Sequence, residues 1–99
     1  MSGAEWGSPQ WELRRLRMEL DAIDQQMIQL FEQRMAISTR LGVLRKEAGV
    51  EAAIPDLVRA GQEHREAMVR DHSLIPYVDR LYETILDLAW DRQDEQAGR

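Results

Sequence analysis

The chain has 99 residues, of which 43% are hydrophobic and 31% charged, and its 13 basic and 18 acidic side chains leave a net charge of −5. That composition excludes a disordered chain, and the acidic balance argues against a nucleic-acid binder, which usually carries a basic stripe. With no cysteine, disulfides and thiolate metal sites are excluded. No apolar run approaches the roughly 20 residues of a membrane span, and no basic segment followed by an apolar one opens the sequence, so a soluble, cytoplasmic protein is expected.

Residues 1 to 9 (MSGAEWGSP) have no periodicity and are expected to form a loose tail. One helical domain is expected over residues 10 to 96. It begins with Leu13, Leu16, Leu20, Ile23, Met27, Leu30, Arg34, Ile37, Leu41 and Leu44, spaced 3, 4, 3, 4 throughout. This is a heptad seam, and it predicts one helix from about residue 10 to residue 48, ended by Gly49 as a C-cap. At 1.5 Å per residue its length is on the order of 55 Å. Ile28, Phe31 and Met35 widen the stripe on one flank, so the helix needs more than one neighbour.

The segment GVEAAIPD reads as a loop. Pro55 starts a second helix, with Asp56 as cap or first-turn acid, and that helix runs to about Asp71. Its stripe of Leu57, Ala60, His64, Ala67 and Met68 is thin. Ser73 is expected to cap a third helix that tolerates Pro76 in its first turn. Val78, Leu81, Ile85 and Leu88 form its stripe, with Tyr82 and Ala89 beside them, before the polar tail DRQDEQAGR.

The expected fold is therefore all-α, with one long and two shorter helices. The long helix matches the two shorter ones laid end to end, so a lone chain would have little core. An all-α homodimer is expected, with a monomeric three-helix bundle as the alternative.

Polar residues break these stripes. Arg34 occupies a seam position. Arg45, 11 residues on, projects within about 20° of it and roughly 16 Å along the axis. Ser38 lies between them, so a polar ledge runs inward. Arg17 is about 100° round from Arg34 and points elsewhere, where it can serve a partner chain. Gln93 extends the third helix's stripe. Arg59 sits in the first turn of the second helix, where a cation gains nothing from the helix dipole. Arg34 also reads as a register-setting or snorkelling residue, Arg45 as a helix C-terminal cation, and Gln93 as a solvated side chain. His64 and His72 are given no role, and Asp21, Asp24, Glu32 and Glu47 read as a solvated face. No nucleophile with an adjacent base, phosphate loop or metal-spaced ligand set is present. Several arginines and a glutamine suit a small di-anion and can stabilise charge that develops in a rearrangement.

At these residues the sequence resembles the all-helical chorismate mutase family. The stretch LRMELDAIDQQMIQLFEQRMAISTRLGVLR, the pair Asp56-x-x-Arg59, and Tyr82 followed 11 residues later by Gln93 match its three motifs in order over residues 13 to 93. The resemblance implies an intertwined dimer of isomerases that turns chorismate into prephenate, in the shikimate route to aromatic amino acids or in a secondary-metabolite pathway. It implies no cofactor and no metal, and it allows an activating partner enzyme. Arg17 matches an arginine that enters the partner's site. Arg34 matches a carboxylate-binding arginine, and Arg45 a lysine that meets a carboxylate and the ether oxygen. Gln93 matches the glutamine that hydrogen-bonds the ether oxygen. Asp56, Arg59, Ala60 and Ala89 complete the implied pocket, and Ser38 joins the candidate substrate-binding residues by its place on the ledge. Three positions depart from the mutases. Arg45 replaces a lysine, with Lys46 adjacent but rotated about 100°. Ala60 replaces a glutamate, and Ala89 a small hydroxyl residue. The loop before Pro55 is also longer. With Ala60, and with EAAIP resembling the corresponding loop of isochorismate-pyruvate lyases, that activity stays open, as does a mutase of 4-amino-4-deoxychorismate. A non-catalytic helical dimerisation or regulatory module is the alternative of another class.

Overall fold

A computed structural model describes residues 7–50 and 54–97. Those residues form three α-helices, α1 (Pro9–Ala48), α2 (Pro55–Met68) and α3 (Ile75–Ala97), with a 3₁₀ turn at His72–Leu74 before the last, and no strand. The expected loose tail falls mainly on residues 1–6, and the first three residues of EAAIP are 51–53, all outside the described residues. The chain divides into two compact units, Met1–Arg34 and Met35–Arg99.

The first unit is helical because its heptad spacing carries no breaker after Pro9. Ser8 opens it, its hydroxyl accepting from the Trp11 amide at 3.2 Å, the satisfaction of a free N–H that serine provides at a helix start. Arg15 bridges Glu12 at 2.9 Å and Glu19 at 3.0 Å on the surface. The Glu12 hydrogen bond holds its guanidinium above the usual arginine range. The seam itself finds no cover: Leu13, Leu16, Leu20, Ile23, Met27 and Leu30 are 46% to 62% exposed.

In the second unit α2 and α3 pack beside each other. Arg65 lies over the Tyr82 ring, 4.8 Å from its centre, a favourable approach of a cation to a π face. The described core is Ala89, at 5% exposure, so the expectation that a lone chain has little core agrees with the structure. The thin α2 stripe stays uncovered, with Leu57 at 66% and Met68 at 62% exposure.

Two helix ends differ from the sequence expectation. α2 stops at Met68, not near Asp71, because Val69 turns extended (φ −78°, ψ 120°) and its N–H bonds back to the Glu66 carbonyl. Ser73 is not the cap that opens the last helical stretch. Asp71 caps the 3₁₀ turn, accepting from the Ser73 amide at 3.1 Å and from its hydroxyl at 2.6 Å. A carboxylate has more acceptor capacity than a hydroxyl, so it takes the cap position and serine becomes its donor. At α2's start, Pro55 occupies the first turn and Ile54 offers no side-chain cap, which leaves Asp56 as the first-turn acid.

Candidate functional site

A cleft of about 700 Å³ lies between the last turns of α1 and of α3, within the second unit. α1 ends there as its sequence dictates. Gly49 takes a positive φ of 67°, a conformation cheap for glycine. The Val50 amide then bonds to the Arg45 carbonyl at 2.9 Å and the Gly49 amide to that of Lys46 at 3.3 Å. This pair of bonds closes the helix in a Schellman turn. It folds Val50 back onto the cleft wall, beside Val43.

Gln93 lines this cleft and reaches Ser38 on α1. Its Nε2 donates to the Ser38 carbonyl at 2.9 Å and reaches the Ser38 hydroxyl at 3.2 Å. The close approach requires Gly42, because a Cβ there would lie 2.7 Å from both Cδ and Oε1 of Gln93. Gly42 is one helical turn past Ser38, so the two residues meet the same side chain from one face of α1.

Arg45, Lys46 and Glu47 line the cleft from α1, and Trp90 and Asp94 from α3. Lys46 reaches the wall with the helix intact, although 100° of rotation separates it from Arg45. The cleft wraps the end of α1, so residues on either side of it open onto the same space. The fixed charges on these walls balance, two cations against two carboxylates. A di-anion bound here would draw net positive charge from residues beyond the wall.

The structure thus places Arg45 and Gln93 on one opening, with Ser38 behind Gln93 and bonded to it rather than on the wall. Ala89 lies a turn before Gln93 in the small core, off the cleft wall. Asp56, Arg59 and Ala60 are exposed at the start of α2 and also off that wall. In the first unit Arg17 is exposed, and Arg34 is half-buried. Sequence reasoning missed Trp90 and Asp94, and it assigned Glu47 to a solvated face only. Trp90 carried a signal, since it stands three residues before Gln93 on the same helix and projects near it. Among the described residues no group of three or more histidines, cysteines or carboxylates is placed to hold a metal ion. No described helix is long and apolar enough to cross a membrane.

An all-helical chain whose second unit carries a cleft walled by an amide and two cations is defined by these features. The chain belongs to the chorismate mutase type II family, whose model matches residues 16–94. No curated protein and no solved structure matches it significantly. Membership supports a chorismate-mutase-type function in the broad sense, an isomerase acting on a small molecule.

Proposed function

We propose that the chain is a chorismate mutase, catalysing the Claisen rearrangement of chorismate to prephenate, and that it works as a homodimer. The observation that carries this reading is the Gln93 amide, held at a cleft that Arg45 and Lys46 also line. The reaction needs no proton donor, base or cofactor. The ether C–O bond breaks as a C–C bond forms between the enolpyruvyl methylene and the ring, and the ether oxygen gains negative charge on the way. An amide N–H and a cation aimed at that oxygen are stronger partners of the transition state than of the substrate, which is the condition for acceleration. Arg45 serves this oxygen and the adjoining carboxylate, with Lys46 available beside it. Arg34 clamps the carboxylate of the enolpyruvyl chain, and bidentate arginine contacts hold that chain over the ring. Arg17 enters from the partner chain. This reading assigns the ring side to Arg59, the Asp56 backbone, Ala60 and Ala89, which stand off the cleft wall of the single chain.

A second reading is favoured by Ala60. An apolar residue there gives a ring hydroxyl no carboxylate to meet, which suits isochorismate and release of pyruvate, and the amino analogue of chorismate remains in the same group. Purified protein assayed separately with chorismate and isochorismate, following prephenate, salicylate and pyruvate, decides between them. Prephenate from chorismate is the expected product. Salicylate and pyruvate from isochorismate alone would move the assignment to the lyase, and consumption of neither would leave the amino-analogue mutase and the helical dimerisation module. Arg34→Leu separates the last case independently. The catalytic reading expects turnover to vanish while stability holds or rises as a half-buried cation is removed. The module reading expects a tighter dimer and no functional loss.

A further inference from the structure

We propose that Ser38 is the positioning residue of this site, holding the Gln93 amide so that one of its N–H groups faces the cleft. The proposal rests on the reading of Gln93 as the group that meets the ether oxygen.

A glutamine side chain turns about three bonds, and a free one spends little time in any single orientation. Gln93 is not free. Its nitrogen lies 2.9 Å from the Ser38 carbonyl and 3.2 Å from the Ser38 hydroxyl. Both acceptors belong to one residue. A single shared N–H satisfies both, as three-centre bonds on helices commonly do. The amide carries two N–H donors, and the second is left for a ligand. The carbonyl end of the same amide is fixed differently: it occupies the space that Gly42 leaves bare, where a Cβ would lie 2.7 Å away. The amide is therefore tied at nitrogen and boxed at oxygen.

The neighbouring hydroxyl shows that this use of Ser38 is not automatic. Thr39 sends its hydroxyl back to the Met35 carbonyl at 2.9 Å, the ordinary intrahelical bond of such a side chain. The Ser38 hydroxyl instead takes a bond from α3, 55 residues away in sequence. A donor oriented before the substrate arrives needs no reorganisation when charge develops, and this is where preorganised donors gain their effect.

The test compares Ser38→Ala, Ser38→Thr, Gln93→Ala and the double variant Ser38→Ala/Gln93→Ala, using the full chain. Loss of one hydrogen bond, with the backbone acceptor kept, predicts a roughly three- to tenfold fall in kcat for Ser38→Ala. KM should stay within about twofold, because the loss acts on the transition state. Melting temperature should hold or rise, since alanine is the better helix former. Ser38→Thr should restore kcat, and Ser38→Ala should add nothing in a chain that already lacks Gln93. A readout without substrate accompanies the kinetics. The side-chain amide protons of Gln93, followed by ¹⁵N-resolved NMR, should move toward the free-glutamine position in Ser38→Ala and stay put in Ser38→Thr. Unchanged kcat in Ser38→Ala, multiplying effects in the double variant, or an unmoved Gln93 amide signal would each overturn the proposal. If the wild-type chain turns over neither chorismate nor isochorismate, the reading of Gln93 falls on its own account, and the amide signal still decides whether Ser38 holds it.

Discussion

A methyl group at position 42 has nowhere to go unless the Gln93 amide moves, because it would sit 2.7 Å from that amide's carbon and oxygen. The obstacle is the end of a flexible side chain, so the helices need not part. Gln93 swings away and loses its bonds to Ser38. Gly42→Ala should therefore cost activity far more than stability. Alanine gains about 1 kcal/mol of helix propensity over glycine, and the lost hydrogen bond is worth about as much. The melting temperature is expected to change little, while kcat falls roughly ten- to a hundredfold, as when an oriented donor is withdrawn from a developing oxyanion. A fully active Gly42→Ala enzyme would show that the position of Gln93 is immaterial. At this scale a helical wheel places Ser38 and Arg45 on one face of α1 and Gln93 on the stripe of α3, and the structure sets Arg45 and Gln93 on one cleft with Ser38 bonded to Gln93. The sequence could not show Lys46, Trp90 or Asp94 on the same opening. A wheel describes a single helix face, and this cleft curls around a helix end and borrows from a second helix.

The helices themselves were legible for a physical reason: seam positions at 3, 4 spacing leave few other periods open, and Gly49 is the residue a left-handed cap favours. The ends of α2 were less so. Asp71 and Ser73 are both good caps, and only the fold decides which accepts. The packing of α2 on α3 also brings Glu66 and Asp79 together, a contact invisible in a one-helix pattern. The neighbouring Asp79 carboxylate raises the Glu66 carboxyl above its ordinary value, against the opposing effect of the bond donated by Gln62 at 3.2 Å. A raised carboxyl binds its proton more tightly in the folded chain than in the unfolded one. Its contribution is complete below the unfolded value, near 4.5, and is lost as pH rises through the folded value. Glu66→Gln supplies a permanent donor to Asp79 and removes one like charge. Urea midpoints should then show the variant more stable than wild type at pH 7 and equal to it at pH 4. A variant that is less stable at pH 7 would mean that Glu66 and Asp79 do not share a proton.

The whole molecule is where the exposed seam has to be accounted for. Leu13 through Leu30 along α1, and Leu57 and Met68 on α2, remain largely exposed in one chain, and each such side chain gains about 1.5 to 3 kcal/mol when fully buried. A second copy offers the same seam, so a two-fold pairing buries both at once. Sizing in solution should give a dimer, and a clean monomer would exclude any site shared between chains. The proposed role of Arg17 makes a sharper prediction. If Arg17 serves the partner's site, then Arg17→Ala and Gln93→Ala homodimers are each crippled. A heterodimer of the two has one site with both defects and one with neither. Unfolding and refolding an equal mixture makes about half the dimers mixed, so activity should return to roughly a quarter of the wild-type level. If Arg17 instead acts within its own chain, every site in every dimer keeps one defect, and mixing restores nothing. The mixed sample carries its own control, because Arg17→Ala and Gln93→Ala proteins combined without unfolding should stay inactive until the chains exchange.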